Sequence, residues 1–426
     1  VIALGTALAA QAAQGLVPQW VDSTVEHPSF YEIDPEEVIS VTLQINDGLF
    51  KNSHATAIPN AGGHSGASKS AALGLFCRPE QKLNLFSNLE HNHIEKMKKV
   101  VAKSKITIET INIPSCNLFL HCKVTLRGEK GLVTGESCLQ NGYTRVIFLK
   151  RNGVSIFNIA SDSLLNAKEI ELDISSLVQA LQYLSIDAYH KLEETVLLNT
   201  QAYQYGLESA PGLGIGDKLD QLIQKGLMGD NVADLAASKT AAAEDVRMGG
   251  ENLPVMGIAS SGSHGITASI PIIAVAEKIQ KDPKILLQSI ALSFWITQKI
   301  NALTGYLGVL CGCVIKAGIG ATAGIAYYMG GAVPQIEQAI NNYIVSTAGV
   351  ICDGGKTTCS IKLANAASCA VQSAFLALEG VVLSDKTGGI VRGDVQKNIE
   401  NMVRISKSME KVDSVIVDIL KGYQNE

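Results

Sequence analysis

Charge is scarce in this chain. Asp, Glu, Lys and Arg together make up 18% of its 426 residues, and the formal net charge is −5. A chain without a basic excess has nothing to draw it to nucleic acid or to an anionic membrane surface. The apolar share is 46% and the mean hydropathy is slightly positive, which suits a large, well-buried soluble protein and excludes a disordered one. A secretory signal with a basic start and a small-residue cleavage site is missing. Nine cysteines over this length make no disulfide scaffold, so the expected compartment is the reducing cytoplasm. No initiator Met is present either. The chain opens at Val1 within an apolar helical pattern, 1–13, that no N-cap precedes, which predicts residues upstream of Val1. Internal repeats and a low-complexity linker are also lacking.

One uncharged stretch, 317–336, approaches bilayer-spanning length. It is rich in Gly and Ala, contains Pro334 and has no aromatic belt at its ends, so it reads as a tightly packed buried helix pair. The length predicts roughly two to three domains, and the hydrophobic pattern changes once. In the first part, 39–46 and 106–111 alternate as strands, and Leu118, Leu120, Cys122, Val124 and Leu126 share one face of the next. A turn follows at 127–131. Residues 146–150 and 154–157 flank Asn152-Gly153, a hairpin signal, while 70–75 and 92–104 read as helices. From about Leu172 the periodicity is helical nearly throughout: 174–198, 218–227, 270–279, 283–303, 335–345, 364–378 and 395–420. The expected fold is α+β. An α+β domain with an antiparallel sheet spans 1–168, and a large all-α catalytic domain spans 169–426. The first helix is expected to pack on the helical domain.

Three cysteines stand among small residues in the helical part. Cys311 lies in Leu310-Cys311-Gly312-Cys313, while Cys352 and Cys359 bracket a loop containing Gly354-Gly355. Seven residues apart, Cys352 and Cys359 would share one face of a helix, but the glycines favour a loop that curls both sulfurs toward one point. Three thiolates without a fourth partner suit a metal centre with one open position, iron–sulfur or zinc. The spacing is no standard CxxC framework, so spacing alone favours the alternative of three unrelated core thiols. Cys77, Cys116, Cys122, Cys138 and Cys369 sit in apolar runs and read as reduced core thiols.

Two further stretches could hold an anion. Arg247-Met248-Gly249-Gly250 precedes Ser260-Ser261-Gly262-Ser263-His264-Gly265, a Ser/Gly loop entering an apolar helix, which offers backbone N–H groups and hydroxyls to a carboxylate; an ordinary N-cap is the alternative. Phe50-Lys51-Asn52 precedes the Gly-rich stretch 58–66, which lacks the Walker ending. It is a turn in which Lys51 and the glycines could hold a carboxylate. His91 and His93 read as a solvated helix start.

Taken together, these pieces resemble the L-cysteine desulfidases of the serine dehydratase alpha-chain superfamily over nearly the whole chain. The matching pieces are Arg247-Met248-Gly249-Gly250, Gly265-Ile266-Thr267-Ala268, Leu310-Cys311, Ile351-Cys352-Asp353-Gly354 with Cys359, and Gly389-Ile390-Val391. The resemblance implies an oxygen-sensitive [4Fe–4S] cluster on Cys311, Cys352 and Cys359, one iron of which is left to bind substrate. It implies β-elimination from a small amino acid, L-cysteine to pyruvate, ammonia and sulfide, with the open iron acting as a Lewis acid on the leaving group and a base removing the α-proton. The substrate-binding residues are expected among Lys51, Asn52, Arg247, Ser261, Ser263 and His264.

The sequence departs from the family in three places. The family's base cysteine lies in a Gly-Cys-Thr-Glu-Pro motif that falls before Val1, so no catalytic base is assigned. The loop Gly-Ser-Gly-Asn-Gln-Gly appears as 260–265, and a Gly-His-Thr appears as Gly142-Tyr143-Thr144. These changes leave L-serine deamination by the same mechanism, or a non-catalytic iron–sulfur or zinc protein, as alternatives. Pyridoxal phosphate is the usual route to such eliminations, but neither Lys316 nor Lys356, the nearest candidates for its Schiff base, sits in a phosphate cup. The expected partner is a small amino acid, with no nucleic acid and no membrane; a homo-oligomer is compatible with the chain.

Overall fold

In the computed structural model, residues 1–25, 30–113, 118–159 and 171–423 are described. The chain divides into two compact units. The first comprises Val1–Asn166, Asp353–Lys356 and Val412–Glu426. The second comprises Ala167–Cys352 and Thr357–Lys411. The α+β class read from the sequence is the one observed. The boundary at 168/169 and Cys116 lie outside the described residues.

The first unit is built on α1 (Ile2–Ala13), β1 (Val38–Ile45), α2 (Asp47–His54), α3 (Ala67–Gly74), α4 (His91–Lys103), β2 (Lys105–Thr110), β3 (Phe119–Gly128), β4 (Gly131–Gln140), β5 (Val146–Arg151) and β6 (Val154–Asn158). The six strands form one sheet in the order β2-β1-β3-β4-β5-β6. Four pairings are antiparallel. The pairing of β1 with β2 is parallel, because α2, α3 and α4 intervene as a crossover that returns the chain in the same direction. Leu120, Cys122, Val124 and Leu126 are all buried, as their alternation predicts. At the β5–β6 turn Asn152 and Gly153 both take positive φ, the geometry that suits a two-residue hairpin. Strand β4 escaped the sequence reading, since Gly131, Thr134, Gly135, Glu136 and Ser137 dilute its apolar alternation.

Two sequence expectations concern this unit. Helix α1 packs on β3, β4 and α3 of its own unit, where Ser137 Oγ donates to Gly5 O at 2.7 Å. Small residues on both sides let the helix approach the sheet, where a Cβ on Gly135 would meet Ala9 O. The C-terminal segment, assigned by sequence to the helical domain, belongs with the first unit from Val412 onward. Lys51 pairs with Asp413, Ser414 with Asp47 and Lys421 with Thr110, contacts between residues too far apart in sequence for periodicity to report.

The second unit comprises α5 (Ile174–Ala180), α6 (Ile186–Ser209), α7 (Ile215–Gln224), α8 (Val232–Gly249), α9 (Gly262–Lys278), α10 (Pro283–Thr304), a π-helical turn at Cys313–Ala317, α11 (Gly318–Met329), α12 (Val333–Thr347), α13 (Cys359–Leu378) and α14 (Val395–Ser408); α15 (Glu410–Gly422) leads from it into the first unit. Side-chain caps start several of them: Asp173, Ser185, Asn231, Ser261, Asp282 and Asp394 each accept a first-turn backbone N–H. The uncharged stretch 317–336 forms α11 and the start of α12, and α11 is nearly all buried, packed on α9, α10, α12 and α13. Helix α13 is long and apolar enough to cross a membrane by length and composition; it packs here on α8, α11 and α12, and 50% of that apolar window is buried.

Candidate functional site

Three segments of the second unit converge around small residues. The last turns of α8 carry Glu244, Asp245 and Arg247. This helix is Ala-rich on every face, so its acids are carried into the interior, and Glu244 and Asp245 are both fully buried. The N-terminus of α9 supplies Ser261, Ser263 and His264. A tight turn leads into it, with Ile258 and Ser261 exchanging backbone hydrogen bonds. Its central residues, Ala259 and Ser260, have φ of 49° and 61°. Neither is glycine, and each left-handed residue costs roughly 1–2 kcal/mol; strain of this kind concentrates at functional sites. The helix then passes so close to the preceding loop that a Cβ on Gly265 would meet Met256 O at 1.8 Å.

The third segment is the cysteine turn. An isolated antiparallel bridge pairs Leu310 with Ile351, with Cys311 N donating to Val350 O at 2.9 Å and Cys352 N to Val309 O at 2.7 Å. It brings the Cys311 thiol into hydrogen-bonding contact with Cys352 and with Cys313. Directly after it the backbone opens into the π-helical turn, a form frequent at functional sites. Gly312 sits at the apex, where an added Cβ would lie 2.7 Å from His264 Nε2 and 3.4 Å from Lys316 Cε. A side chain here would force the imidazole to shift, so glycine lets His264 approach the Cys-Gly-Cys turn this closely.

The electrostatics are unusual for a helical core. Arg247 Nη1 donates to Ser263 Oγ at 2.9 Å, and Ser263 Oγ donates to Glu244 Oε1 at 2.7 Å. Burial pushes the Glu244 carboxyl up to about 7, against the opposing pull of Arg247 and of Ser263. Burial, with the charges of Lys316 and Arg247 adding to it, pushes the His264 imidazole down to about 3, so it is neutral at ordinary pH. Lys316 Nζ donates to Asn301 Oδ1 and Gly305 O. Burial lowers its ammonium to about 8, while Cys313, Cys352 and Cys311 pull it back up. The hydrogen bond with Cys313, aided by burial, pushes the Cys311 thiol up to about 12, against an opposing hydrogen bond with Cys352.

Buried polar atoms without a partner are rare in folded proteins. Among the described residues five side-chain atoms are of this kind, and four of them, on Thr240, Glu244, Asp245 and His264, lie on α8 or at the start of α9. Among the described residues, unmet hydrogen-bonding capacity is therefore concentrated on α8 and the start of α9.

Of the residues picked out by sequence, the structure gathers Arg247 and Ser263 in one hydrogen-bonded chain, sets Ser261 as the cap that accepts from His264 N at 3.4 Å, and pairs Cys311 with Cys352. Cys359 is the first residue of α13. No group of three or more His, Cys, Asp or Glu side chains among the described residues is arranged to hold a metal ion. The donor chemistry nevertheless fits an iron–sulfur or zinc centre: soft thiols, two of them in contact, beside a buried ammonium that calls for negative charge. Cys313 is also in hydrogen-bonding contact with Cys311. Lys51 and Asn52 belong to the first unit. There the Lys51 ammonium is buried against Asp413 and Asn52 Nδ2 donates to Gly48 O. Lys356 pairs with Asp353 at 2.6 Å. Glu244 was not foreseen as a site residue, and Lys316 was weighed only as a Schiff-base candidate. The signal for Glu244 was available: two adjacent acids directly after the small-residue run Ala241-Ala242-Ala243.

The chain matches the serine dehydratase alpha chain family over residues 80–418. A UPF0597 protein of Desulfotalea psychrophila is 34% identical over 398 residues, covering 90% of this chain and 89% of the relative. A UPF0597 protein of Desulfatibacillum aliphaticivorans is 33% identical with the same coverage. One from Clostridium botulinum is 32% identical over 389 residues, covering 90% of this chain and 88% of its own length.

Proposed function

The chain belongs to the serine dehydratase alpha-chain family, and from that premise we propose that it is a lyase that eliminates the β-substituent of a small amino acid, converting L-cysteine to pyruvate, ammonia and sulfide. The observation that carries the reading is the meeting of an anion-binding element with a thiol cluster in one unit. Arg247, held by Ser263 at the N-terminus of α9, is suited to a substrate carboxylate, since guanidinium N–H groups and a helix terminus both favour anions. Ser261 and neutral His264 complete the polar lining.

Cys311 and Cys352, with Cys359 contributed by α13, are the proposed ligands of a [4Fe–4S] cluster. When bound, such a cluster supplies a Lewis-acidic iron that makes a thiol or hydroxyl a better leaving group. Lys316 balances the negative charge that thiolate ligands bring into the interior. In the reaction the α-C–H bond breaks as its proton goes to a base, its electron pair forms the Cα=Cβ bond, and the β-substituent departs with its own pair. The aminoacrylate released becomes an imine, and water hydrolyses it to pyruvate and ammonia. The proposed compartment is a reducing cytoplasm, in which thiolate ligands persist. L-Serine is the second candidate substrate, favoured by the family description.

The test is anaerobic purification followed by iron and sulfide analysis, absorbance, and pyruvate formation from L-cysteine and L-serine. The expected protein is brown, with broad iron–sulfur absorbance. Cys352→Ala bleaches it and abolishes pyruvate formation. Turnover that survives this substitution, or a sharp aldimine band that shifts on adding substrate, overturns the proposal.

A further inference from the structure

The hydrogen-bonded chain from Arg247 through Ser263 ends on a carboxyl group with one oxygen unused. Ser263 Oγ accepts from Arg247 and donates to Glu244 Oε1, while Glu244 Oε2 is buried with no partner. A proton placed on Oε2 leaves both of these hydrogen bonds intact, because Oε1 continues to accept. The arrangement therefore tolerates both ionisation states of Glu244 without rearranging.

We infer that binding of a carboxylate at Arg247 is coupled to uptake of one proton by Glu244, with Ser263 as the link. The inference rests on the reading of Arg247 as the carboxylate partner. Without a ligand, the Arg247 cation is the charge that favours ionised Glu244. An incoming carboxylate neutralises that cation and adds a negative charge nearby, and both effects favour the protonated form. A solvent proton then bonds to Glu244, and no other bond changes. The other groups acting on Glu244 do not break the link. Asp245, on the same helix, also opposes its ionisation. His264 on α9 stays neutral. Beside burial, the groups that act on Glu244 are Arg247, Ser263 and Asp245. Since its carboxyl already lies near neutrality, a shift of about one unit on ligand binding takes up roughly half a proton near pH 7.5. The device makes anion affinity fall as pH rises, by up to about tenfold for each unit of that shift.

The measurement is calorimetric titration of the anaerobically purified protein in buffers of differing ionisation enthalpy, at pH 6.5, 7.5 and 8.5. The ligands are L-alanine, which has no β-leaving group and cannot turn over, and propanoate, which keeps only the carboxylate. Proton uptake is expected with both ligands for the wild type, and none for Glu244→Gln, whose neutral amide can still accept from Ser263. Ser263→Ala, which breaks the link while leaving Glu244 in place, is expected to reduce the uptake. Thermal melts check that each variant is folded, and should Glu244→Gln fail to fold, Ser263→Ala carries the comparison. Uptake that persists unchanged in the folded variants, binding without uptake in the wild type, or no binding of either ligand overturns the inference. Uptake without pyruvate formation from any amino acid leaves it standing and removes the lyase reading instead.

Discussion

His264 should govern how the second unit responds to acid. Its imidazole is buried between two cations, Lys316 and Arg247, and is held down to about 3 in the fold, whereas an unfolded chain returns it to about 6.5. Because the folded value is depressed, the unfolded state binds the extra proton between these limits, and stability falls as pH drops from about 6.5 toward 3. A difference of about 3.5 units corresponds to roughly 5 kcal/mol at full development. Glu244 works in the opposite direction. Its folded value is raised to about 7, so its contribution is whole below about 4.5 and is lost as pH rises through 7, roughly 3 kcal/mol in all. The two slopes oppose each other between about 4.5 and 6.5, and only His264 acts below that. Urea unfolding of wild type and His264→Gln at pH 4, 5, 6 and 7 separates them. Glu244 is common to both proteins and cancels, so the wild type should lose roughly 1 kcal/mol relative to the variant for each unit between pH 6 and 4, and little between 7 and 6. Equal pH slopes for the two proteins would refute the claim that His264 is buried and neutral.

The sheet was legible in the sequence where one face is apolar and the other polar. Leu118 to Leu126 and the Asn152-Gly153 hairpin are of this kind, because alternation and turn chemistry act over a few residues. Strand β4 was not legible, since its small and polar residues owe their burial to α1. The long helices were legible by period, but α8 was not, because small and polar residues are buried on most of its faces and leave no amphipathic period to read. That omission hid Glu244, whose importance lies in a hydrogen bond to Ser263 nineteen residues away. The cysteine turn was half legible. Residue type pointed to Cys311 and Cys352, but the bridge between Leu310 and Ile351 that joins them spans about forty residues, and no local rule encodes it. Lys51 shows the opposite case: a lysine beside a glycine-rich stretch reads as a ligand group, and its partner Asp413 lies 362 residues on.

Gly312→Ala should damage the site while leaving the first unit intact. Its Cβ would press on His264 Nε2 at 2.7 Å, and overpacking of this kind costs about 1–3 kcal/mol; the outcome to measure is reduced iron content after anaerobic purification, and full iron content would show that the close contact has no role. The first unit offers an independent test, since the buried Lys51–Asp413 pair ties α2 to α15 within it. Asp413→Ala leaves a buried ammonium without its carboxylate and should destabilise the protein by about 3–5 kcal/mol in denaturant unfolding, whereas the double variant Lys51→Met, Asp413→Leu should recover most of the loss, because two apolar residues remove the desolvation penalty along with the attraction. The decisive comparison is between single and double variants: if the double variant is as unstable as Asp413→Ala, the ion pair is not what fixes α15, and the packing of the helix itself must do so.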